Sequence, residues 1–177
     1  MHREGYIMQE ITSYGNMSEA FDRVLRGKKR KKCRQGRYLL AHREEVIAEL
    51  TAKLADGSFR LGNYHERIIC ENGKVRHLQI ISMYDRIAVY AVMNQHLHKR
   101  FIRTTGASIK KRGTHDLRKC MQLDMERDPE GTRYCYEFDI KHFYDNTKPE
   151  FVMWCYRRVF KDKTLLSLLD HFLHLLP

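Results

Sequence analysis

Asp139 and Tyr144, within the run Tyr136–Asp145, are the residues whose types and spacing most clearly suggest chemistry. We predict a short strand over residues 133–139 that carries Asp139 to its end, followed by an aromatic pair and the start of a helix. A carboxylate placed this way can hold Mg²⁺ during phosphoryl transfer, and a ring just beyond it can close a nucleotide pocket. The same pattern also fits an ordinary strand end, with the Asp capping the next turn.

A basic β-hairpin is predicted upstream of this run. β-rich segments at 64–70 and 74–81 flank Asn72–Gly73, and an Asn-Gly pair between such segments is a strong hairpin signal. The hairpin would place two cations just beyond its turn.

These two cations are Lys74 and Arg76, which share one face of the second strand because side chains alternate along a strand. Two cations side by side can grip a triphosphate, the arginine through its bidentate fork. Alternatively they form cross-strand charge contacts in solvent, with Glu66 and Arg67 expected opposite them.

A basic glycine loop precedes a predicted helix that runs from about Thr114 to residue 126. Its members are Lys110, Lys111, Arg112 and Gly113. Backbone N–H groups at a helix start, together with three cations, can bind phosphate.

A second basic segment, residues 26–37, has eight Lys or Arg in twelve positions, among them Lys28, Lys29 and Arg30. Two interpretations stay open. The segment is a solvated linker, or it contacts nucleic-acid phosphates and orders when bound.

The composition favours a polyanionic partner. The 177 residues include 33 Lys or Arg and 22 Asp or Glu, giving a net charge of +11. The sequence has no apolar run long enough for a transmembrane helix, so we expect no membrane partner. The five cysteines form no CxxC pair, which favours reduced thiols in the cytoplasm.

The order of predicted elements is helices, hairpin, helices, strand and helices, which indicates an α+β fold with a small antiparallel sheet. Asn16 or Ser18 is expected to cap a helix ending near Leu25, and Asp85 to cap a long helix reaching about Phe101. Further helices are predicted at 38–55, from Pro149 to about residue 160, and at 162–175.

In this order and spacing, the hairpin, the glycine loop and the Asp139 run resemble the fingers and early palm of reverse transcriptases. The closest similarity is to the bacterial group II intron and diversity-generating retroelement types, over residues 59–160. The resemblance implies helical fingers, a hairpin and the first strand of a palm sheet over residues 38–177, preceded by an N-terminal helix and basic linker over 1–37. It further implies Mg²⁺-dependent DNA synthesis from dNTPs on an RNA template and a DNA primer. The resemblance does not identify an accessory protein.

The resemblance also assigns roles to single residues. Asp139 would be a catalytic metal ligand, assisted by the backbone carbonyl of Ile140, in a two-metal site. Tyr144 would be the aromatic gate against the 2′ carbon of the sugar, with His142 and Phe143 lining the same pocket.

The cationic residues receive roles as well. Lys74 and Arg76 would contact the phosphates of the incoming nucleotide. The loop at 110–113 would follow the template or primer backbone.

Two departures from the family's pattern are visible. Family members often carry a proline in the segment matching Ile80–Ser82, and this chain has none. The second metal motif, an aromatic-x-Asp-Asp turn, is absent from the 177 residues. We therefore expect that the reverse-transcriptase region is incomplete at its C-terminal end and that these residues alone are inactive. Two alternatives stay open: a non-catalytic RNA-binding module derived from a reverse transcriptase, and another type of palm polymerase.

Overall fold

The fold is α+β, as the sequence predicted. The computed structural model describes residues 3–93, 105–106, 112–141 and 143–174, with the backbone alone for Tyr144 and Asp145. Within these ranges, helices accompany one two-stranded antiparallel sheet. The helices are α1 (Ile7–Ile11), α2 (Tyr14–Val24), α3 (Lys28–Lys32), α4 (Arg34–Ala41), α5 (Arg43–Ala55), α6 (Met83–Val92), α7 (Thr114–Arg127), α8 (Phe143–Asn146), α9 (Pro149–Val159) and α10 (Lys163–His174), and the strands are β1 (His65–Glu71) and β2 (Lys74–Ile80).

The chain divides into two compact units. The first comprises Met1–His96 together with Lys148–Pro177, and the second comprises Leu97–Thr147. The predicted boundary at residue 37 lies inside the first unit. The hairpin and α1 to α6 belong to the first unit with α9 and α10, whereas α7 and α8 belong to the second.

The start of α2 differs from the prediction. Ser13 is the N-cap, and its side chain accepts a hydrogen bond from the backbone N–H of Asn16. Asn16 is buried, and its Nδ2 donates to the carbonyls of Ile11, at 2.7 Å, and Ala91, at 3.0 Å. The residue predicted as a cap therefore links α2 to α6 through a buried hydrogen bond.

The basic segment is helical over much of its length. α3 occupies Lys28–Lys32, and α4 follows directly, with Cys33 as its N-cap. The single helix predicted at 38–55 is two helices, α4 and α5, which meet at His42 (φ −113°, ψ 32°).

Two residues form a reciprocal cap at the start of α6. Ser82, rather than the predicted Asp85, is the N-cap and accepts from the Asp85 backbone N–H at 3.0 Å. The Ser82 hydroxyl donates in turn to Oδ2 of the buried Asp85 at 2.7 Å. Asp85 thus reinforces the helix start from its third position. The predicted extension of this helix to Phe101 passes outside the described residues.

The prediction of a strand over residues 133–139 is wrong. Residues 134–140 belong to no strand or helix. Their large side chains lie in solvent, with Tyr136 89% and Phe138 86% exposed. Alternating apolar residues make a strand only when a neighbouring strand supplies the hydrogen-bond ladder and a face to bury. This segment has no such partner among the described residues.

The core of the first unit lies where α2 packs against α6 and α5, and where α10 packs against α9 and α1. Apolar side chains of these helices face one another because they recur at helical spacing. Burying each is worth roughly 1.5–3 kcal/mol. The largest fully buried side chains include Phe21, Phe59, Phe160, Met17, Leu50, Ile87, Met153 and Leu165.

The N-terminal segment is hydrogen-bonded to the end of α9. The backbone N–H of Glu4 donates to the Val159 carbonyl at 2.8 Å, and the N–H of Lys161 donates to the Glu4 carbonyl at 2.7 Å. This short parallel bridge places α1 against α10. No helix in the described ranges is long and apolar enough to cross a membrane.

Candidate functional site

The hairpin β1–β2 has the turn that its sequence predicted. Asn72 and Gly73 both have positive φ, 52° and 74°, as a type I′ turn requires. The register pairs Glu71 with Lys74 and Ile69 with Arg76. Residues paired in this way lie on the same face of the sheet, so Lys74 and Arg76 share one face, and both are exposed.

Arg76 has an acidic neighbour on this face. Its Nε lies 3.3 Å from Oε2 of Glu71, diagonally across the hairpin. The neighbours expected from the sequence were wrong, because Glu66 pairs with Gln79 and Arg67 pairs with Leu78. Since both members of the ion pair are more than half exposed, a competing phosphate can reach the arginine.

The other face of the hairpin exposes two apolar side chains among polar ones. Ile68 is 64% and Val75 65% exposed, and the register places them beside His77 and Cys70 respectively. An isolated two-stranded hairpin is marginally stable in water.

Asp139 lies in the irregular segment of the second unit. Asp139 is exposed, Ile140 is 54% exposed, and Phe143 is 49% exposed at the first position of α8. Tyr144 occupies the second position of α8. His142 lies outside the described residues. Lys74 and Arg76 belong to the first unit and Asp139 to Tyr144 to the second.

Asp139 could contribute one oxygen ligand to a Mg²⁺ site, since Mg²⁺ prefers carboxylate and carbonyl oxygens. The Ile140 carbonyl follows it directly in the chain. Within the described ranges, no group of three or more His, Cys, Asp or Glu side chains could hold a metal.

The glycine loop is described only in part, because Lys110 and Lys111 lie outside the described residues. α7 begins at Thr114, as predicted, and Gly113 is its N-cap, without a side-chain cap. Its carbonyl accepts from the backbone N–H groups of Asp116 and Leu117, both at 3.0 Å. Arg112 immediately precedes this helix start.

The basic segment forms a cationic cleft that the sequence did not reveal. Here the name "cationic cleft" denotes a concavity of about 570 Å³ between the end of α2, the turn at Gly27, α3 and one residue of α6. Its lining residues are Arg23, Arg26, Gly27, Lys28, Lys29, Arg30 and Tyr90. The predicted nucleic-acid residues Lys28, Lys29 and Arg30 are thus brought together with Arg23, Arg26 and Tyr90.

Tyr90 lies at the surface of α6 rather than in its buried stripe. The buried apolar positions of α6 are Ile87, Ala88, Ala91 and Val92, and Tyr90 falls outside that stripe, 36% exposed. The spacing of the small and branched residues is the signal that would have separated it from the core. The guanidinium carbon of Arg23 lies 5.5 Å from the centre of its ring.

His171 makes a structural contact to the chain before the hairpin. Its Nε2 accepts a hydrogen bond from the backbone N–H of Leu61 at 3.1 Å. Burial, reinforced by the charge of Arg60, lowers the pKa of His171 below its ordinary value. A neutral ring is what this contact needs, because a protonated Nε2 cannot accept.

Neither a comparison with protein-family models nor a search of curated proteins finds a match for this sequence.

Proposed function

We propose that this chain is the fingers and early-palm region of a reverse transcriptase, which binds template, primer and dNTP for Mg²⁺-dependent DNA synthesis. The observation that carries the proposal is the hairpin β1–β2. Its type I′ turn leads directly into two exposed cations on one face, in the order of segments that the resemblance requires. Such a pair suits a triphosphate.

Asp139 and Tyr144 take their roles from the same resemblance. Asp139 would hold a metal ion with its carboxylate, and the Tyr144 ring would exclude a 2′-hydroxyl. Two metal ions stabilise the attacking and leaving oxygens of phosphoryl transfer, so further carboxylates must join Asp139. The exposure of Asp139 and its position four residues before α8 support its role.

Nucleotide binding by the 177-residue chain tests the hairpin directly. Titration with a fluorescent dNTP in Mg²⁺ should show weaker binding by Lys74→Gln and Arg76→Gln. Lys31→Gln is the matched control, because it removes an equal charge at an exposed position outside the hairpin. Equal losses of binding in all three variants would attribute the effect to net charge alone and would count against the triphosphate site.

Primer extension tests the reaction. The 177-residue chain and any longer chain that its gene encodes should be assayed with an RNA template, a DNA primer and dNTPs. We expect extension only from a chain that supplies the second carboxylate motif. A longer chain that contains this motif, folds and fails to extend a primer would contradict the proposal.

A non-catalytic RNA-binding module is the second candidate. The cationic cleft favours it, because this surface requires neither Asp139 nor a metal. RNA binding that survives loss of Asp139, in a full-length protein without extension activity, would support this candidate over the enzyme.

A further inference from the structure

We propose that the cationic cleft binds an unpaired stretch of nucleic acid, with its cations on the phosphates and a base against Tyr90. The inference shares with the proposed function only the choice of nucleic acid as partner. It concerns a surface of the first unit and does not involve Asp139.

The cleft concentrates positive charge. Five of its seven lining residues are Lys or Arg, and no carboxylate is among these lining residues. Arg30 is fixed in place by a 3.1 Å hydrogen bond from its Nη1 to the Val24 carbonyl. Arg26, Lys28 and Lys29 are exposed, so their charged groups can reach a phosphate backbone.

The turn at Gly27 makes the concavity possible. Gly27 has φ 105° and ψ 142°, a conformation that residues with a Cβ rarely adopt. The chain therefore turns between α2 and α3, so that cations from both sides of the turn line one cleft.

Tyr90 distinguishes the cleft from a simple basic surface. The ring is partly exposed at the cleft wall, and the Arg23 guanidinium lies over it. Aromatic rings and arginine planes are the groups on which unpaired bases stack. A duplex keeps its bases inside the helix, so the combination of cations and an accessible ring fits a single strand.

The test is binding of the 177-residue chain to a labelled single-stranded oligonucleotide, compared with its matched duplex. Tyr90→Leu should weaken single-strand binding by about fivefold or more, the usual effect of losing one stacked base. Tyr90→Phe should bind like the wild type, because the ring remains. Duplex binding should be the same in all three proteins. Unchanged single-strand affinity in a folded Tyr90→Leu protein, verified by its melting temperature, would overturn the proposal.

The role of Lys28 and Lys29 can be tested against a matched control pair on the same helix, α3. Lys28→Gln/Lys29→Gln should reduce the slope of log affinity against log salt by about 1.4, since each phosphate contact on a single strand contributes about 0.7. Lys31→Gln/Lys32→Gln removes the same charge from residues that do not line the cleft, and should leave most of the slope. Equal changes in both double variants would overturn the cleft as a site.

Binding to vesicles of acidic phospholipid tests whether the cleft instead recognises a membrane surface. We expect weaker binding to vesicles than to the oligonucleotide at equal salt, and no effect of Tyr90→Leu on it. Vesicle binding that is tighter and depends on Tyr90 would replace nucleic acid with a membrane surface. A longer chain that contains the second carboxylate motif, folds, fails to extend a primer and still shows Tyr90-dependent binding would refute the enzyme and leave this inference standing.

Discussion

The Nε of Arg76 lies 3.3 Å from Oε2 of Glu71, diagonally across the hairpin β1–β2. The contact joins one of the two cations proposed to bind triphosphate to the last residue before the turn. Exposed ion pairs of this kind contribute only about 0–1 kcal/mol to stability. Glu71 therefore has more effect on which anions Arg76 can accept than on whether the hairpin forms.

Glu71→Gln should consequently tighten dNTP binding without lowering the melting temperature, because the carboxylate that competes with phosphate for Arg76 is removed. Titration with a fluorescent dNTP measures the effect. Glu66→Gln is the control, since Glu66 is exposed on the opposite face and pairs with Gln79. Equal tightening by both variants would show that only net charge had changed, and weaker binding by Glu71→Gln would mean that Glu71 positions Arg76 productively.

Asp139→Asn should abolish primer extension in a gene product that contains the second carboxylate motif, while template binding stays nearly the same. The amide matches the carboxylate in size but lacks the charge that holds a metal ion. Extension assays beside template titrations separate the two effects. Substantial extension by the variant would remove Asp139 from the metal site.

Tyr144→Ala should raise the use of ribonucleotides relative to deoxynucleotides in the same gene product, because the missing ring leaves room for a 2′-hydroxyl. The measurement is the ratio of kcat/KM for a matched ribo- and deoxynucleotide pair, and Tyr144→Phe should keep the wild-type ratio. If Tyr144 instead packs in a core, the ratio stays constant and the melting temperature falls, since deletion of a buried aromatic costs roughly 3–5 kcal/mol.

His171 should make stability depend on pH in the mildly acidic range. Its pKa is lower in the folded chain than in the unfolded chain, so the unfolded chain binds the proton more readily. The free energy of unfolding therefore falls as pH drops below the ordinary histidine pKa of about 6.5. Melting temperatures between neutral and mildly acidic pH measure this trend.

His171→Gln should flatten the pH trend, because a glutamine can accept the Leu61 N–H without titrating. His77→Gln, at an exposed hairpin position, is the control and should leave the trend intact. A trend that persists in His171→Gln would assign the pH dependence to other groups.

The sequence by itself determined the elements that rest on local chemistry. Asn72–Gly73 fixed the hairpin turn and its register, because two consecutive residues with positive φ leave few alternatives. The apolar stripe of α10 and the proline at the start of α9 placed those helices within a residue or two of their observed ends. The sequence also placed Lys74 and Arg76 on one face, because side chains alternate between the two faces of any strand.

Only the tertiary structure decided which side chains meet. The apolar run before Asp139 needed a neighbouring strand to become a strand itself, and the described residues provide none. Asn16 became a buried link to Ala91 rather than a cap because α2 packs against α6. The same packing brings Tyr90 to the cations of α3, so the cleft depends on contacts distant in sequence, which no local pattern encodes.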